Sequence, residues 1–125
     1  MTGRVAILRQ GDYLIASVQG DLADPEVLEL RDDLAERIGR QRVRGIIVDV
    51  TELDVIDSFV ARALRALAVT AKLRGAETII VGIQPDVAIA MVQFRLNLTP
   101  LRTALDLDEG LALLGDTRRQ QGDDG

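Results

Sequence analysis

Two short, nearly continuous apolar runs constrain the fold of this chain more than any other feature. The first spans residues 45–50 (GIIVDV), and the second spans residues 78–83 (TIIVGI). A strand in which successive residues are apolar has to be covered on both faces, as in the parallel sheets of α/β proteins. Each run is followed by a loop and a segment with helical periodicity, so we expect parallel strands joined by helices.

The segments around these runs predict the remaining elements. Strands are expected at residues 5–9 and 13–19, on either side of the hairpin turn Gly11-Asp12. A helix is predicted over residues 25–39, with Asp24 as N-cap and Pro25 at the first helical position. Further elements are predicted after these: a helix from Ser58 to about Arg74, a helix from Pro85 that buries Val87, Ala88, Met91, Val92 and Leu96, an edge strand at 102–105, and a last helix at 108–114.

Together these elements predict one α/β domain over residues 1–115. Its sheet is expected to be mixed but mostly parallel, opened by the β-hairpin and covered by α-helices. Residues 116–125 (DTRRQQGDDG) contain nothing to bury and are predicted to form a disordered tail.

The composition excludes many functions. The chain contains no Cys and no His, so thiolate chemistry, histidine general-base catalysis and the usual zinc sites are excluded. A net charge of −5 argues against a nucleic-acid groove, and neither nucleotide-binding glycine motif occurs. No signal peptide and no run of about 20 apolar residues is present. We therefore expect a cytoplasmic protein without a cofactor, a nucleic-acid partner or a membrane segment.

Ser58 is the best candidate for a functional residue. It is one of two serines, and it lies where an acidic loop after a buried strand passes into a helix. A helix start offers unpaired backbone N–H groups and the positive end of the helix dipole, which favour an added phosphate. The same position also suits an ordinary N-cap serine, so a capping role is the alternative interpretation.

Loops 49–58 and 82–86 follow neighbouring parallel strands and should meet at the same edge of the sheet. One interpretation of this edge is a carboxylate cluster (Asp49, Glu52, Asp54, Asp57) that binds Mg²⁺ and accepts phosphate on aspartate, as in a response regulator. Against it, the first strands supply no acidic pair, and no Lys follows the last strand. The other interpretation is an interaction module that is switched by phosphorylation of Ser58.

Two stretches, from Val48 to Ala61 and from Gly82 to Ala88, resemble the sulfate-transporter and anti-sigma-antagonist (STAS) domain. The resemblance covers about residues 4–114. Free anti-anti-sigma factors usually carry the pattern Asp-Ser-Ser-Gly-Leu-Gly, whereas here Ser58 is followed by residues 59–62 (FVAR). This difference favours the small antagonists of the bacterial stressosome. Stressosome co-antagonists have an additional amino-terminal sensory domain, whereas this chain begins at once with its first strand.

The resemblance implies a non-enzymatic antagonist. Ser58 would be phosphorylated by a serine/threonine kinase of the anti-sigma type, which the unphosphorylated protein captures and the phosphorylated protein releases. The partners implied are STAS co-antagonist paralogues in a large complex, a phosphatase that resets Ser58, and a second copy in a homodimer. Asp57 would orient the loop. The expected partner contacts are Asp57, Phe59, Arg62, Gln84 and Pro85.

Two alternatives stay open at this point. The first is a free anti-anti-sigma factor that binds an anti-sigma kinase one to one. The second is the aspartyl phosphoacceptor. Modification of Ser17 or Thr51 is also left open by the sequence.

Overall fold

The fold, described from a computed structural model, is a single five-stranded sheet with helices on both faces. The backbone is described for residues 4–123 and the side chains for residues 4–115. The strands lie in the order β1-β2-β3-β4-β5; β1 and β2 are antiparallel, and the other pairs are parallel. This arrangement confirms the predicted α/β fold with a mixed, mostly parallel sheet. The elements are β1 (Val5–Gln10), β2 (Tyr13–Val18), α1 (Asp24–Arg40), β3 (Gly45–Asp49), α2 (Ser58–Leu73), β4 (Glu77–Val81), α3 (Pro85–Gln93), β5 (Arg102–Ala104) and α4 (Leu107–Asp123).

The apolar run at residues 45–50 forms the central strand, as predicted. Ile46 and Val48 pack into the core shared with α1, α2 and α3, whereas Ile47 packs into a second core beneath α4. All three side chains are fully buried. Alternate residues therefore face two different helical layers, which explains why the run contains no polar alternation.

Helix α4 closes the second face over β3, β4 and β5. A Cβ added at Gly110 would lie 2.8 Å from Cγ1 of Val81, so the missing side chain lets the helix approach β4 closely. Leu114 is buried at the same interface. The sheet is thus sandwiched, with the larger core on the side of α1, α2 and α3.

The start of α1 differs from the prediction by one residue. The N-cap is Ala23, whose carbonyl accepts a hydrogen bond from the Val27 N–H at 3.0 Å. Alanine has no side-chain acceptor, but Glu26 Oε1 accepts from the Ala23 N–H at 2.9 Å and fixes the cap there. Asp24 is therefore not the N-cap, and it contributes its charge to the first helical turn.

Two predictions near the carboxyl edge were wrong in part: strand β4 was predicted too long, and helix α3 was predicted to bury residues on two of its faces. Strand β4 ends at Val81 because Gly82 has a φ of 81°, so the predicted strand to Ile83 was wrong. In α3, Val87 and Met91 are buried, but Ala88 and Val92 are exposed. These two pairs lie about 100° apart around the helix, so only one of them can face the core.

Helix α4 continues to Asp123, beyond the predicted end at Leu114. Once a helix is started, each further residue adds a backbone hydrogen bond, and Arg and Gln are good helix formers. Residues 1–3 and 124–125 lie outside the described residues. The tail predicted to be disordered is helical up to Asp123, and its disorder stays a prediction for residues 124–125 only. Within the described part of the chain, no helix is both long and apolar enough to cross a membrane.

Candidate phosphoacceptor site at the carboxyl edge of the sheet

Two loops meet at the carboxyl edge of the sheet, as the order of the elements predicts. The first joins β3 to α2 (residues 50–57), and the second joins β4 to α3 (residues 82–84). The side-chain Nε2 of Gln84 donates a hydrogen bond to the carbonyl of Thr51 at 2.7 Å. Val50 N–H donates to the Val81 carbonyl at 3.0 Å, which extends the pairing of the two strands into the loops.

Gly82 permits this contact between the loops. Its φ of 81° lies in the left-handed region, which side chains beyond glycine rarely adopt. A Cβ at this position would lie 2.1 Å from Oγ1 of Thr51, well inside van der Waals contact. Both the backbone angle and the space therefore require glycine here.

The longer β3–α2 loop is held by polar contacts at both ends. Oδ1 of Asp49 accepts hydrogen bonds from the Thr51 N–H at 3.0 Å and the Thr51 hydroxyl at 2.6 Å. Oδ1 of Asp21, in the β2–α1 loop, accepts from the Asp54 N–H at 2.9 Å. Between these contacts Leu53 is buried in the core. The loop is therefore fixed in place although it contains no regular structure.

Asp57, and not Ser58, caps helix α2. Its Oδ1 accepts from the Val60 N–H at 2.9 Å, and its carbonyl accepts from the Ala61 N–H at 2.9 Å. Asp57 has the extended backbone typical of an N-cap, with φ −91° and ψ −177°. Ser58 is the first helical residue, and it is exposed. The expectation that Ser58 caps the helix is wrong, because the residue before it already supplies the acceptor.

The surroundings of Ser58 combine a positive helix end with acidic neighbours. The first turn of α2 presents backbone N–H groups that have no acceptor within the helix. Asp57 precedes the serine, and Asp54 lies in the same loop. Arg62 lies one turn further along α2, on the same face as Ser58, and it is exposed. An added phosphate would meet attraction from the helix and Arg62, and repulsion from the two carboxylates.

Beside Ser58, a groove of about 500 Å³ runs between the β3–α2 loop and helix α3. Its lining includes Val55, Asp86, Ala90 and Phe94 as well as Ser58. Val55 is 58% exposed and Phe94 is 76% exposed, so two exposed apolar side chains line the same groove. The candidate phosphoacceptor therefore lies on the rim of an apolar groove.

The predicted contact residues fall into two groups. Arg62 and Pro85 are exposed, whereas Phe59 and Gln84 are half-buried. The Gln84 amide is engaged with Thr51, so its first role is to hold the two loops together. Asp57 is likewise engaged, as the cap of α2.

The carboxylate cluster expected for an aspartyl phosphoacceptor does not form. No group of three or more acidic residues in the described part of the chain is placed to hold a metal ion. Asp49 binds Thr51 and Asp57 caps α2, so each has a local structural role.

Sequence reasoning missed several residues of the site. Thr51 connects the two loops, Asp21 holds the Asp54 backbone, and Phe94 lines the groove. Gly82, directly after a strand, carried a usable signal, since glycine there suggests a left-handed backbone. No local signal marks Asp21, whose partner lies in another loop.

Comparison with known proteins agrees with this geometry. The profile of the STAS domain matches residues 4–110. The structure of RsbS S58E from Moorella thermoacetica is 32% identical, with a TM-score of 0.80, and the match covers 94% of this chain and 99% of that one. A chain from a structure described as the molecular architecture of the stressosome, a signal integration and transduction hub, is 30% identical with a TM-score of 0.71, covering 91% and 99%.

A curated relative leads to the same group. The RsbT co-antagonist protein RsbRD of Bacillus subtilis (strain 168) is 25% identical over 101 residues, which are 81% of this chain and 36% of the relative. The chain thus spans about a third of the length of the curated co-antagonists that it matches. These findings confirm the resemblance to stressosome antagonists. Because the profile match runs through all five strands and into α4, this chain belongs to the STAS domain family.

Proposed function

We propose that this chain is a non-enzymatic stressosome antagonist that captures a serine/threonine kinase of the anti-sigma type and releases it when Ser58 is phosphorylated. The observation that carries the proposal is the position of Ser58, exposed at the first residue of α2 while Asp57 supplies the cap. The serine hydroxyl is therefore accessible to a kinase, and modifying it removes no capping bond. The similarity to RsbS and to the stressosome chain supports the same assignment.

The charge of a phosphate provides the switch. A phosphoserine carries about −1.5 to −2 charges at neutral pH. Beside Asp54 and Asp57 it makes this edge much more anionic than the free hydroxyl does. A kinase surface matched to the hydroxyl then meets desolvation and like-charge repulsion that together cost on the order of several kcal/mol of binding free energy, which is enough to release the kinase.

The groove beside Ser58 is the proposed docking surface for the kinase. Val55 and Phe94 offer apolar contact area, Phe59 and Arg62 follow the serine along α2, and Pro85 begins α3. Interfaces bind most strongly through aromatic and arginine anchors, and both residue types are present here. ATP and Mg²⁺ enter with the kinase, so the antagonist itself needs no cofactor.

The assembly proposed for this chain follows its relatives. A homodimer joins STAS co-antagonist paralogues in a large cytoplasmic complex, and a phosphatase resets Ser58. Size-exclusion chromatography with a co-antagonist should then give a megadalton particle. A particle no larger than a dimer would favour a free anti-anti-sigma factor that binds its kinase one to one.

Kinase capture by Ser58 variants tests the switch. The full chain is immobilised, and binding of an anti-sigma-type kinase is compared for the wild type, Ser58→Asp and the neutral control Ser58→Asn. We expect Ser58→Asp to bind at least about tenfold more weakly than Ser58→Asn, because only the former adds charge. Equal binding by the two variants would contradict the charge mechanism.

A further inference from the structure

A second cavity lies between α1 and α2 and faces the sheet, and it adjoins the groove beside α3 at Val55 and Asp57. Its volume is about 260 Å³. Small apolar side chains from four elements form much of its wall, among them Val18, Val27, Val48 and Ala63. All four residues are buried, with Val48 fully so. The floor of the cavity therefore belongs to the main core, while its mouth is open to solvent.

Small-molecule sites in proteins are concave and mostly apolar, and this recess has both properties. Val and Ala occupy several wall positions beside five leucines, and a longer side chain at those positions would extend into the space. A cavity of about 150 Å³ lined by apolar side chains already admits benzene. The space between α1 and α2 is thus large enough for one aromatic ring with a short side arm.

The mouth of the cavity is acidic. It opens beside Asp21, Asp24 and Asp57, which come from the β2–α1 loop, the first turn of α1 and the cap of α2. Asp21 and Asp57 each use Oδ1 to accept a backbone N–H, so each keeps a second carboxylate oxygen. The one cationic residue of the lining, Arg31, forms an ion pair with Asp32 at 2.9 Å.

An apolar wall and an acidic mouth together define a ligand class. The wall favours a compact hydrocarbon body, and the three carboxylates favour an ammonium group at the entrance. We propose that this cavity binds a small organic amine with an apolar body and about ten non-hydrogen atoms. The three carboxylates disfavour an anion of the same size, and the starts of α1 and α2 at the mouth offset part of this repulsion.

This site goes beyond the proposed function and does not depend on it. Asp57 borders the cavity and also precedes Ser58, so the ligand would sit directly beneath the loop that carries the serine. Binding itself involves no kinase and no phosphate. Failure of the phosphorylation experiments would leave the binding measurement unaffected, and the reverse also holds.

Titration of the full chain by ¹H–¹⁵N NMR tests the proposal with three probes of matched size. Phenethylamine is cationic, phenethyl alcohol is neutral and 3-phenylpropionate is anionic. We expect saturable shifts for the amine at the cavity residues, with a dissociation constant of about 0.1–1 mM for a ligand of this size. The alcohol should bind at least about fivefold more weakly than the amine, and the anion should bind more weakly than the alcohol.

Variants of the wall and the mouth separate the two parts of the site. Ala63→Leu fills the cavity and should abolish binding of the amine and the alcohol; Val27→Leu serves the same purpose if the first variant unfolds. Asp24→Asn should weaken binding of the amine by at least about threefold and leave binding of the alcohol unchanged. Asp108→Asn is the matched control, since Asp108 is exposed on α4 and distant from the mouth. Shifts that do not saturate, equal binding of the anion, or undiminished binding by the filled variants would overturn the proposal.

Discussion

The two loops at the carboxyl edge of the sheet reach the same place by different means. The β4–α3 loop has three residues and depends on the backbone of Gly82. The β3–α2 loop is longer and is held by side chains. The carboxylates of Asp49, Asp21 and Asp57 accept hydrogen bonds along it, and Leu53 is buried in the core. Gly82 in the short loop therefore does not tolerate a side chain, whereas the long loop leads into an exposed serine, the first residue of α2, that no contact requires. A modification of Ser58 thus leaves intact the contacts that hold both loops.

The largest expected effect is at Gly82. Gly82→Ala should lower the free energy of unfolding by about 2–5 kcal/mol, because it combines a strained φ with a clash against Thr51. Urea denaturation measures the loss. Gly75→Ala is the matched control, since Gly75 has a similar φ of 85° but nothing within 4 Å of an added Cβ. Equal losses in the two variants would show that the clash with Thr51 contributes nothing and that the backbone angle alone causes the loss.

The cap of α2 gives the next largest effect. Asp57→Ala should cost about 1–2 kcal/mol, because the Val60 N–H loses its acceptor. Asp57→Asn keeps an acceptor oxygen and should cost much less. Ser58→Ala should change stability by less than about 0.5 kcal/mol, as for other exposed positions. If Ser58→Ala proves as costly as Asp57→Ala in thermal unfolding, the serine shares the capping role and the contrast fails.

A smaller effect is expected at the bridge between the loops. Gln84→Ala removes the hydrogen bond to the Thr51 carbonyl and should cost about 1 kcal/mol. Gln93→Ala, at the exposed end of α3, is the control and should be nearly neutral. Hydrogen exchange at Leu53 and Asp54 should rise in Gln84→Ala but not in the control. Unchanged exchange would mean that the long loop is held without its neighbour.

The smallest stability effect is expected for Ser58→Asp. An acidic residue in the first turn of a helix is favourable, and the nearby Asp57 offsets part of this gain. The variant should therefore unfold within about 0.5 kcal/mol of the wild type while losing kinase capture. A large loss of thermal stability would contradict the position of Ser58 at the helix start.

The strands were predictable because burial on both faces leaves a mark in the sequence itself. The positions of Ile46, Ile47 and Val48 are fully buried, so a polar residue is unfavourable at each of them, whichever helix covers it. The starts of the helices were less certain, since Asp57 and Ser58 are both good caps and only the bond to Val60 decides between them. The orientation of α3 was harder, because the Val87–Met91 and Ala88–Val92 pairs have the same spacing.

The contacts that fix the site could not be predicted locally. Thr51 and Gln84 are brought together by the parallel pairing of β3 and β4, and their hydrogen bond exists only after that pairing. The same holds for Asp21, which reaches Asp54 from another loop. Ser58 could be chosen as the candidate phosphoacceptor from the sequence alone, because it lies at a strand–loop–helix junction. That Asp57 and not Ser58 caps α2 could be seen only in the structure.

Ser58 is proposed to accept phosphate from a partner kinase. Intact-mass spectrometry of the full chain after incubation with an anti-sigma-type kinase and ATP tests this assignment. We predict that the wild type and Ser17→Ala gain one acid-stable phosphate and that Ser58→Ala gains none. A phosphate on Ser58→Ala, or one that is lost in acid as an aspartyl phosphate would be, would contradict the assignment of Ser58.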